Sequence, residues 1–343
     1  MRGQGSAGLT LRVEIEKWPL KAPFCIAGYT TIFLEVVVVA LEKGGCIGQG
    51  EATSVFYLGD DATSIVRQVE NVRTVIETGI DRSSLQKLMP PGSARNAIDC
   101  ALWELDAKLS GIPVWKLAAL EKPRPLLTTF TCGADLPERM VETACAYTQA
   151  RAIKLKLTGE LPIDAERVLK VRKARPDVWL GVDANQSYTI GSMARLLPIL
   201  EDAQVALIEQ PFPIAHDFLL DDLQSPIPIA ADESAQSILD IPGLVGRFDV
   251  VNIKLDKCGG LTEALEMVRA ARKVGLQTMI GNMLGTSLAM APAFLVGQLC
   301  NIVDLDGPIF LTSDRLESAK YDNDGYVTCP APVWGNIDRI VCA

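Results

Sequence analysis

No stretch of this chain approaches ~18 apolar residues free of polar breaks, the length a membrane-spanning helix needs. Its first twenty residues, MRGQGSAGLTLRVEIEKWPL, lack the uninterrupted apolar run of a secretory leader. There is no CxxC pair among nine scattered cysteines, an odd count that reads as reduced thiols in a cytoplasm. A basic stripe is missing as well. Thirty-three Lys and Arg against 42 Asp and Glu leave a net charge of −9, with no cationic cluster interleaved with aromatics. That balance argues against nucleic acid and membrane surfaces as partners and leaves a small molecule. A homo-oligomer is neither required nor excluded.

What is present is core-forming. Of the 343 residues, 48% are hydrophobic and 22% charged, enough apolar material for one large domain and a smaller one. LTLRVEI and the run from Thr30 to Thr53 read as β-structure, with a turn at Gly44-Gly45. From Asp60 to about Leu120 the apolar spacing is helical, clearest in SARNAIDCALWELDAKLSG, with Ser93 as N-cap and Gly111 as C-cap. Beyond Pro123 the texture changes. Eight short apolar runs (LLTTFTCG, AIKLKL, VWLGVDAN, ALIEQP, PIAADES, VVNIKLDK, TMIGNM, NIVDLD) alternate with amphipathic segments. Steps of 22 to 28 residues separate Lys156, Asp183, Glu209, Asp232, Lys254, Asn282 and Asp304. Eight strands at a nearly constant βα period predict a closed (β/α) barrel, whose strand C-terminal ends carry the active site.

Asp183, Glu209 and Asp232 each end an apolar run, on the third, fourth and fifth strands of that count. Neighbouring strands lie ~4.8 Å apart, so three carboxylates converge. Unpaired, they would raise one another's pKa values by repulsion and desolvation; a divalent cation resolves the conflict. An all-oxygen set with room for water and substrate selects Mg²⁺, with Mn²⁺ as its substitute.

RAIKLKLTG, residues 151–159, sets Lys154 and Lys156 on one face of the second strand. Lys254 sits on the sixth, diametrically opposite the second in an eight-strand ring. Across a metal site the pair Lys156 and Lys254 reads as two acid/base catalysts, one for each face of a bound substrate. An unperturbed lysine pKa near 10.4 makes the free amine cost about 4.6 kcal/mol at pH 7. A metal ion and a second ammonium both lower that pKa, which gives Lys154 a role as assistant to Lys156 and as a holder of a substrate carboxylate; the alternative for Lys154 is an ion pair with a neighbouring acid.

The set KLK (154–156), DAN (183–185), EQP (209–211), DES (232–234) and KLDKCGG (254–260) resembles the enolase superfamily, in particular its muconate-lactonising-enzyme subgroup. The resemblance covers nearly the whole chain, ARNAIDCALWELDAKLSGIPVWKL included. It implies a modified (β/α)7β TIM-type barrel at 123–314, an α+β capping domain at 1–122 over its mouth, and a C-terminal segment at 315–343 returning to the cap. It implies Asp183, Glu209 and Asp232 as Mg²⁺ ligands, with Asn185 behind them, and Lys156 and Lys254 as the bases of a reaction through an enediolate. The choice of Asp232 over Glu233 rests on the resemblance. The single histidine, His216, reads as a loop residue, which disfavours relatives that use a His-Asp dyad.

Strand eight ends in IVDLDGP, with Asp304 and Asp306 on one face, opposite the centre of the acid triad. A dipeptide spans ~7 Å from carboxylate to ammonium, which suits a metal at one end and this DxD pair at the other. The pair resembles the element with which dipeptide epimerases hold the substrate α-ammonium, and Thr131 matches a substrate-contacting position. The expected activity is inversion of the α-carbon of a dipeptide's C-terminal residue by 1,1-proton transfer. N-acylamino acid racemase and o-succinylbenzoate synthase are the alternatives within the subgroup, and a non-catalytic binding barrel the alternative outside it. In related epimerases KAPFCIAGYTTIF (21–33) would be a cap loop over the C-terminal side chain, with a basic residue in those that prefer Ala-Glu. Tyr29 stands at that position here, so a small or hydrophobic second residue is expected.

Overall fold

The computed structural model describes residues 8–26, 29–330, 333–335 and 337. Strands β1 (Thr10–Ile26), β2 (Tyr29–Lys43) and β3 (Cys46–Thr53) form an antiparallel sheet with β2 in the middle. The unbroken Val36–Val39 run fits a central strand covered on both faces. Val37 and Val39 pack with α1 (Ala62–Glu77) and α3 (Ser93–Ser110), while Val36 and Val38 join the larger core on the other side. Gly48 and Gly50 let α3 lie directly on β3: a Cβ there would stand 2.2 Å from the Ala101 carbonyl oxygen and 2.1 Å from that of Ala97. The short helices α2 (Arg82–Leu88) and α4 (Val114–Leu117) flank α3.

Two local expectations are corrected. Gly92, not Ser93, holds the N-cap position of α3, and the Ser93 hydroxyl instead donates to the Thr53 carbonyl at 2.7 Å. Gly111 does end the helix, in the left-handed conformation at φ 68°. The segment 21–33, expected as a loop, forms the paired ends of β1 and β2, in register Phe24–Thr31, Cys25–Thr30 and Ile26–Tyr29. Ala27 and Gly28, at its tip, lie outside the described residues.

After β4 (Leu126–Leu127) come the eight parallel strands of the second unit: β5 (Phe130–Cys132), β6 (Ala152–Lys156), β7 (Trp179–Asp183), β8 (Leu207–Glu209), β9 (Ile229–Ala231), β10 (Val250–Ile253), β11 (Gln277–Ile280) and β12 (Ile302–Val303). Each pairs with its sequence neighbours. The ring closes where the Thr129 N–H donates to the Val303 carbonyl (3.0 Å) and the Leu305 N–H to the Thr128 hydroxyl (2.9 Å). The crossovers are α5 (Pro137–Ala146), α6 (Leu161–Ala174), α7 (Ile190–Asp202), a 3-10 turn at Ile214–Asp221, α8 (Ile241–Leu244), α9 (Leu255–Cys258) with α10 (Leu261–Lys273), and α11 (Ser287–Gly297). A 3-10 turn, Gly307–Phe310, follows β12 in place of an eighth helix, which makes the fold a modified (β/α)7β barrel.

Strands β13 (Lys320–Tyr321) and β14 (Tyr326–Thr328) pair back onto β4. The chain then reaches the cap, where the Trp334 indole donates to the Gln49 carbonyl (2.8 Å) and the Gly335 carbonyl accepts the Val114 N–H (2.9 Å). Among the described residues no helix is long and apolar enough to cross a membrane, and Cys46, Cys100, Cys132, Cys145, Cys258, Cys300 and Cys329 are free thiols. His216 lies exposed in the 3-10 turn, edge-on to Phe218.

Candidate active site

The barrel interior fixes which residues reach the site. Leu207, Ala230, Val250 and Met279 form a separate buried cluster with Trp179 and Ile302. Two residues further along each strand, on the same face, stand Gly181, Glu209, Asp232, Asn252, Gly281 and Asp304. Another step of two brings in Asp183, Lys254 and Asp306. This parity sets Asp232, not Glu233, in line with the interior row.

Asp183, Glu209 and Asp232 are buried, and one carboxylate oxygen of each lies within 4.8 Å of the others. Each is matched by cations or donors. The Lys156 ammonium lies 2.5 Å from Asp183 Oδ2, and that of Lys254 lies 2.6 Å from Asp232 Oδ2. Lys257 donates to Asp232 Oδ1 at 2.6 Å, and Asn252 Nδ2 to Glu209 Oε1 at 2.7 Å. Burial, then the charge of Asp183, pushes the Glu209 carboxyl up to about 7. Burial also opposes the charge on Asp232, yet Lys254 and Lys257 together hold its carboxyl well below the usual range. Three buried acids with oxygens close enough to share one ion fit Mg²⁺. Asn185 supports the set from behind: its N–H donates to Asp183 Oδ1 at 2.9 Å, and its Nδ2 reaches Glu233 Oε1 at 3.5 Å.

Lys154 is not a bare ammonium beside Lys156. It ion-pairs with Asp304 and lies 3.3 Å from Glu209 Oε2. Burial works to lower its pKa, but Asp304, Glu209 and Asp183 outweigh that and raise it well above the ordinary value. Lys254 is raised too, by Asp232 and Glu209 against its own burial. At Lys154 and Lys254 the surrounding carboxylates outweigh both burial and like-charge repulsion.

The DxD pair is split in role. Asp304 is engaged by Lys154 and by the Thr129 hydroxyl. Asp306 forms no ion pair among the described residues and accepts the Thr131 N–H at 2.6 Å. Burial and then the neighbouring Asp304 charge push its carboxyl up to about 6. Thr131, itself buried, accepts a hydrogen bond from the Tyr147 hydroxyl through its carbonyl. One cavity is lined by Lys154, Lys156, Lys254, Asp304, Asp306 and Thr131, and also by Tyr57, Glu233, Asn282, Met283, Leu284 and Phe310. Tyr29 begins β2 opposite Ile26, and this backbone register is all that is described of it.

Sequence reasoning passed over Lys257, Asn252 and Tyr57. Asn252 was findable, since it stands two residues before Lys254 on one strand face. Lys257 lies past the strand on α9, where strand parity no longer applies. Tyr57 comes from a 3-10 turn in the cap at Phe56–Leu58, which no barrel periodicity reports.

Comparison with known proteins places these residues in company. Residues 138–332 match the enolase C-terminal domain-like family, and residues 9–118 the N-terminal domain of the mandelate racemase / muconate lactonizing enzyme family. An L-Ala-D/L-Glu epimerase of Escherichia coli (strain K12) is 40% identical over 305 residues, spanning 89% of this chain and 95% of its own. An enolase family member from Agrobacterium tumefaciens with homology to dipeptide epimerases, bound to sodium and L-Ala-L-Glu, superposes with a TM-score of 0.91 at 35% identity, covering 95% of this chain and all of its own. A dipeptide epimerase from Methylococcus capsulatus, in complex with Mg and L-Arg-D-Lys, has a TM-score of 0.86 at 27% identity, covering 94% and 97%.

Proposed function

The chain belongs to the enolase superfamily, in its mandelate racemase / muconate lactonizing enzyme branch, and we propose that it is a Mg²⁺-dependent dipeptide epimerase that inverts the α-carbon of the C-terminal residue. The observation that carries this reading is the pairing of Lys156 with Asp183 and of Lys254 with Asp232, on opposite strands of one ring around a shared acid cluster. Asp183, Glu209 and Asp232 would hold the ion. When bound, it supplies positive charge that neutralises the three carboxylates, holds the substrate carboxylate and favours the free-amine form of nearby lysines. Lys156 takes the α-proton from one face of the dipeptide and Lys254 returns one to the other; the opposite epimer runs the sequence in reverse. Asp306, with Asp304, receives the α-ammonium, while Lys154 balances Asp304 and Glu209. Residues 1–122 act as the cap, 123–314 as the catalytic barrel and 315–343 as the segment returning to the cap; the separate family matches to residues 9–118 and 138–332 support the division between cap and barrel.

Acetylating the dipeptide amine tests the substrate class. Loss of turnover is the expected result, because a neutral amide leaves Asp306 buried without its cation. Turnover of the acetylated compound at the rate of the free dipeptide would favour an N-acylamino acid racemase instead.

The raised Asp306 carboxyl sets a pH dependence. Its charged form, the one that binds an ammonium, is lost as pH falls through about 6. The KM for dipeptide is therefore expected to rise roughly tenfold per pH unit below that point, with kcat changing less. A pH profile showing constant KM from pH 7 to 5 would contradict the role.

The substrate carries a small or hydrophobic second residue. Beside the cavity lysines, each already against a carboxylate, the lining offers Met283, Leu284, Phe310 and Tyr57. A buried glutamate side chain without a cation costs several kcal/mol. In a dipeptide panel, Ala-Xaa with apolar Xaa should show the higher kcat/KM, and Tyr29→Arg should shift the ratio toward Ala-Glu. A clear wild-type preference for Ala-Glu would overturn this.

A further inference from the structure

The two bases stand on different supports. Past Lys156 the chain is held, among the described residues, by the barrel: the Leu157 N–H donates to the Asp183 carbonyl (2.9 Å), and those of Thr158 (3.1 Å) and Gly159 (2.9 Å) to the Asp164 carboxylate. Asp164 is in turn fixed by Arg167 at 2.6 Å and the Tyr188 hydroxyl at 2.5 Å. Past Lys254 the chain is held by the cap as well as by the barrel, where the Lys257 ammonium donates to Asp232 Oδ1 (2.6 Å) and to the Asn252 carbonyl (3.1 Å). Helix α9 starts on the Lys254 carbonyl, which accepts the N–H groups of Lys257 (3.0 Å) and Cys258 (3.1 Å). Asp256, in that one turn, accepts the Thr53 N–H (3.1 Å) and the Asn96 amide (3.0 Å), both from the cap. Arg95 on α3 donates to the carbonyls of Cys258 (2.5 Å) and Gly259 (3.2 Å). Asp99, one helical turn further, accepts the N–H (2.9 Å) and hydroxyl (2.6 Å) of Thr262. The fit leaves no slack: a Cβ on Gly259 would stand 2.3 Å from the Arg95 guanidinium, and one on Gly260 2.6 Å from Asp99.

Arg95, Asn96, Asp99 and Asp256 are buried, and a surface lid would need none of them. We infer that Asp256 is a positioning residue through which the seating of the cap sets the aim of Lys254, and not that of Lys156. The inference rests on the two-base reading above. A base displaced by about 1 Å loses up to 10²-fold in rate, so loosening α9 weakens proton transfer on one face of the substrate and spares the other.

The test measures α-deuterium wash-in from each substrate epimer separately, in D₂O with saturating Mg²⁺, for wild type, Asp256→Ala, Asp256→Asn and Asn96→Ala, with Lys156→Ala and Lys254→Ala as references. Asp256→Ala should lower exchange from the epimer that Lys254→Ala silences by roughly 10-fold or more, and leave the other epimer within about twofold. Asp256→Asn keeps an acceptor oxygen and should restore the lost face. Asn96→Ala removes one of the two cap donors and should show the same bias in weaker form; it decides the matter if Asp256→Ala does not fold. An equal fall on both faces, no fall on either, or failure of Asp256→Asn to rescue would overturn the inference while leaving the two-base reading intact. If the two lysine variants themselves fail to silence different epimers, the two-base reading falls and takes this inference with it.

Discussion

Glu209→Gln should abolish epimerisation and α-proton exchange together, by about three orders of magnitude or more, equivalent to ~4 kcal/mol of transition-state stabilisation. The substitution keeps the shape of the side chain and removes its charge. An amide oxygen can still accept from Asn252 Nδ2, as Glu209 Oε1 does at 2.7 Å, but the amide nitrogen then faces the Lys154 ammonium where Oε2 stood at 3.3 Å. The ion loses one of three anionic ligands at the centre of the triad. A second readout separates lost ion binding from lost folding. Mg²⁺ raises the stability of a protein whose native state alone binds it, by RT ln(1 + [Mg²⁺]/Kd). Wild type should therefore show a Mg²⁺-dependent rise in Tm, and the variant little or none. Without Mg²⁺ the sign reverses. The Glu209 carboxyl is raised by burial and by Asp183, so its ionisation penalises the native state as pH climbs from the unfolded value through about 7. Glu209→Gln should then be as stable as wild type or more so at pH 8. Near-normal exchange in the variant, or an undiminished Mg²⁺ shift of Tm, would remove the ion from the account.

Lys156→Ala and Lys254→Ala should fail in mirror image. Each leaves one base in place, so each should lose epimerisation by about 10²- to 10⁴-fold while retaining α-proton exchange of one epimer. The retained epimer should differ between the variants, because the lysines sit on the second and sixth strands, paired with Asp183 and Asp232 respectively. Following the exchange of each isolated epimer by NMR distinguishes this from general damage, which lowers both alike. Equal residual exchange of both epimers in both variants is incompatible with opposed bases.

The barrel was legible because burial imposes a period. A strand covered by helices outside and side chains inside must be apolar, so the polar residues that end each run stand out, and a recurrence of 22 to 28 residues between them reports one βα unit apiece. The acid triad and both strand-end lysines follow from that count. Partnership was not legible. Lys154 is two residues from Lys156 in the chain, but its ion pair with Asp304 closes across the seam of the ring, 150 positions away. The sequence leaves Lys154 open between assisting Lys156 and pairing with an acid, and closure of the sheet makes that acid Asp304 at the end of strand eight. The cap's grip on α9 was hidden for the same reason. Arg95, Asn96 and Asp99 read as polar positions on an amphipathic helix, yet they are buried against a loop some 160 residues downstream. Ser93 shows how a local rule yields to packing: its hydroxyl caps the carbonyl of Thr53 because β3 ends beside α3.

The central claim is that two lysines exchange the α-proton of a dipeptide's C-terminal residue beside a shared Mg²⁺ site. It is tested most directly by incubating the wild-type protein with Mg²⁺ and an unblocked dipeptide such as L-Ala-L-Leu in D₂O. The account predicts deuterium at the α-carbon of the second residue and at no other carbon, its appearance in both epimers, and its loss on addition of a chelator. Epimerisation without deuterium at that carbon, or undiminished exchange in the presence of chelator, would contradict it.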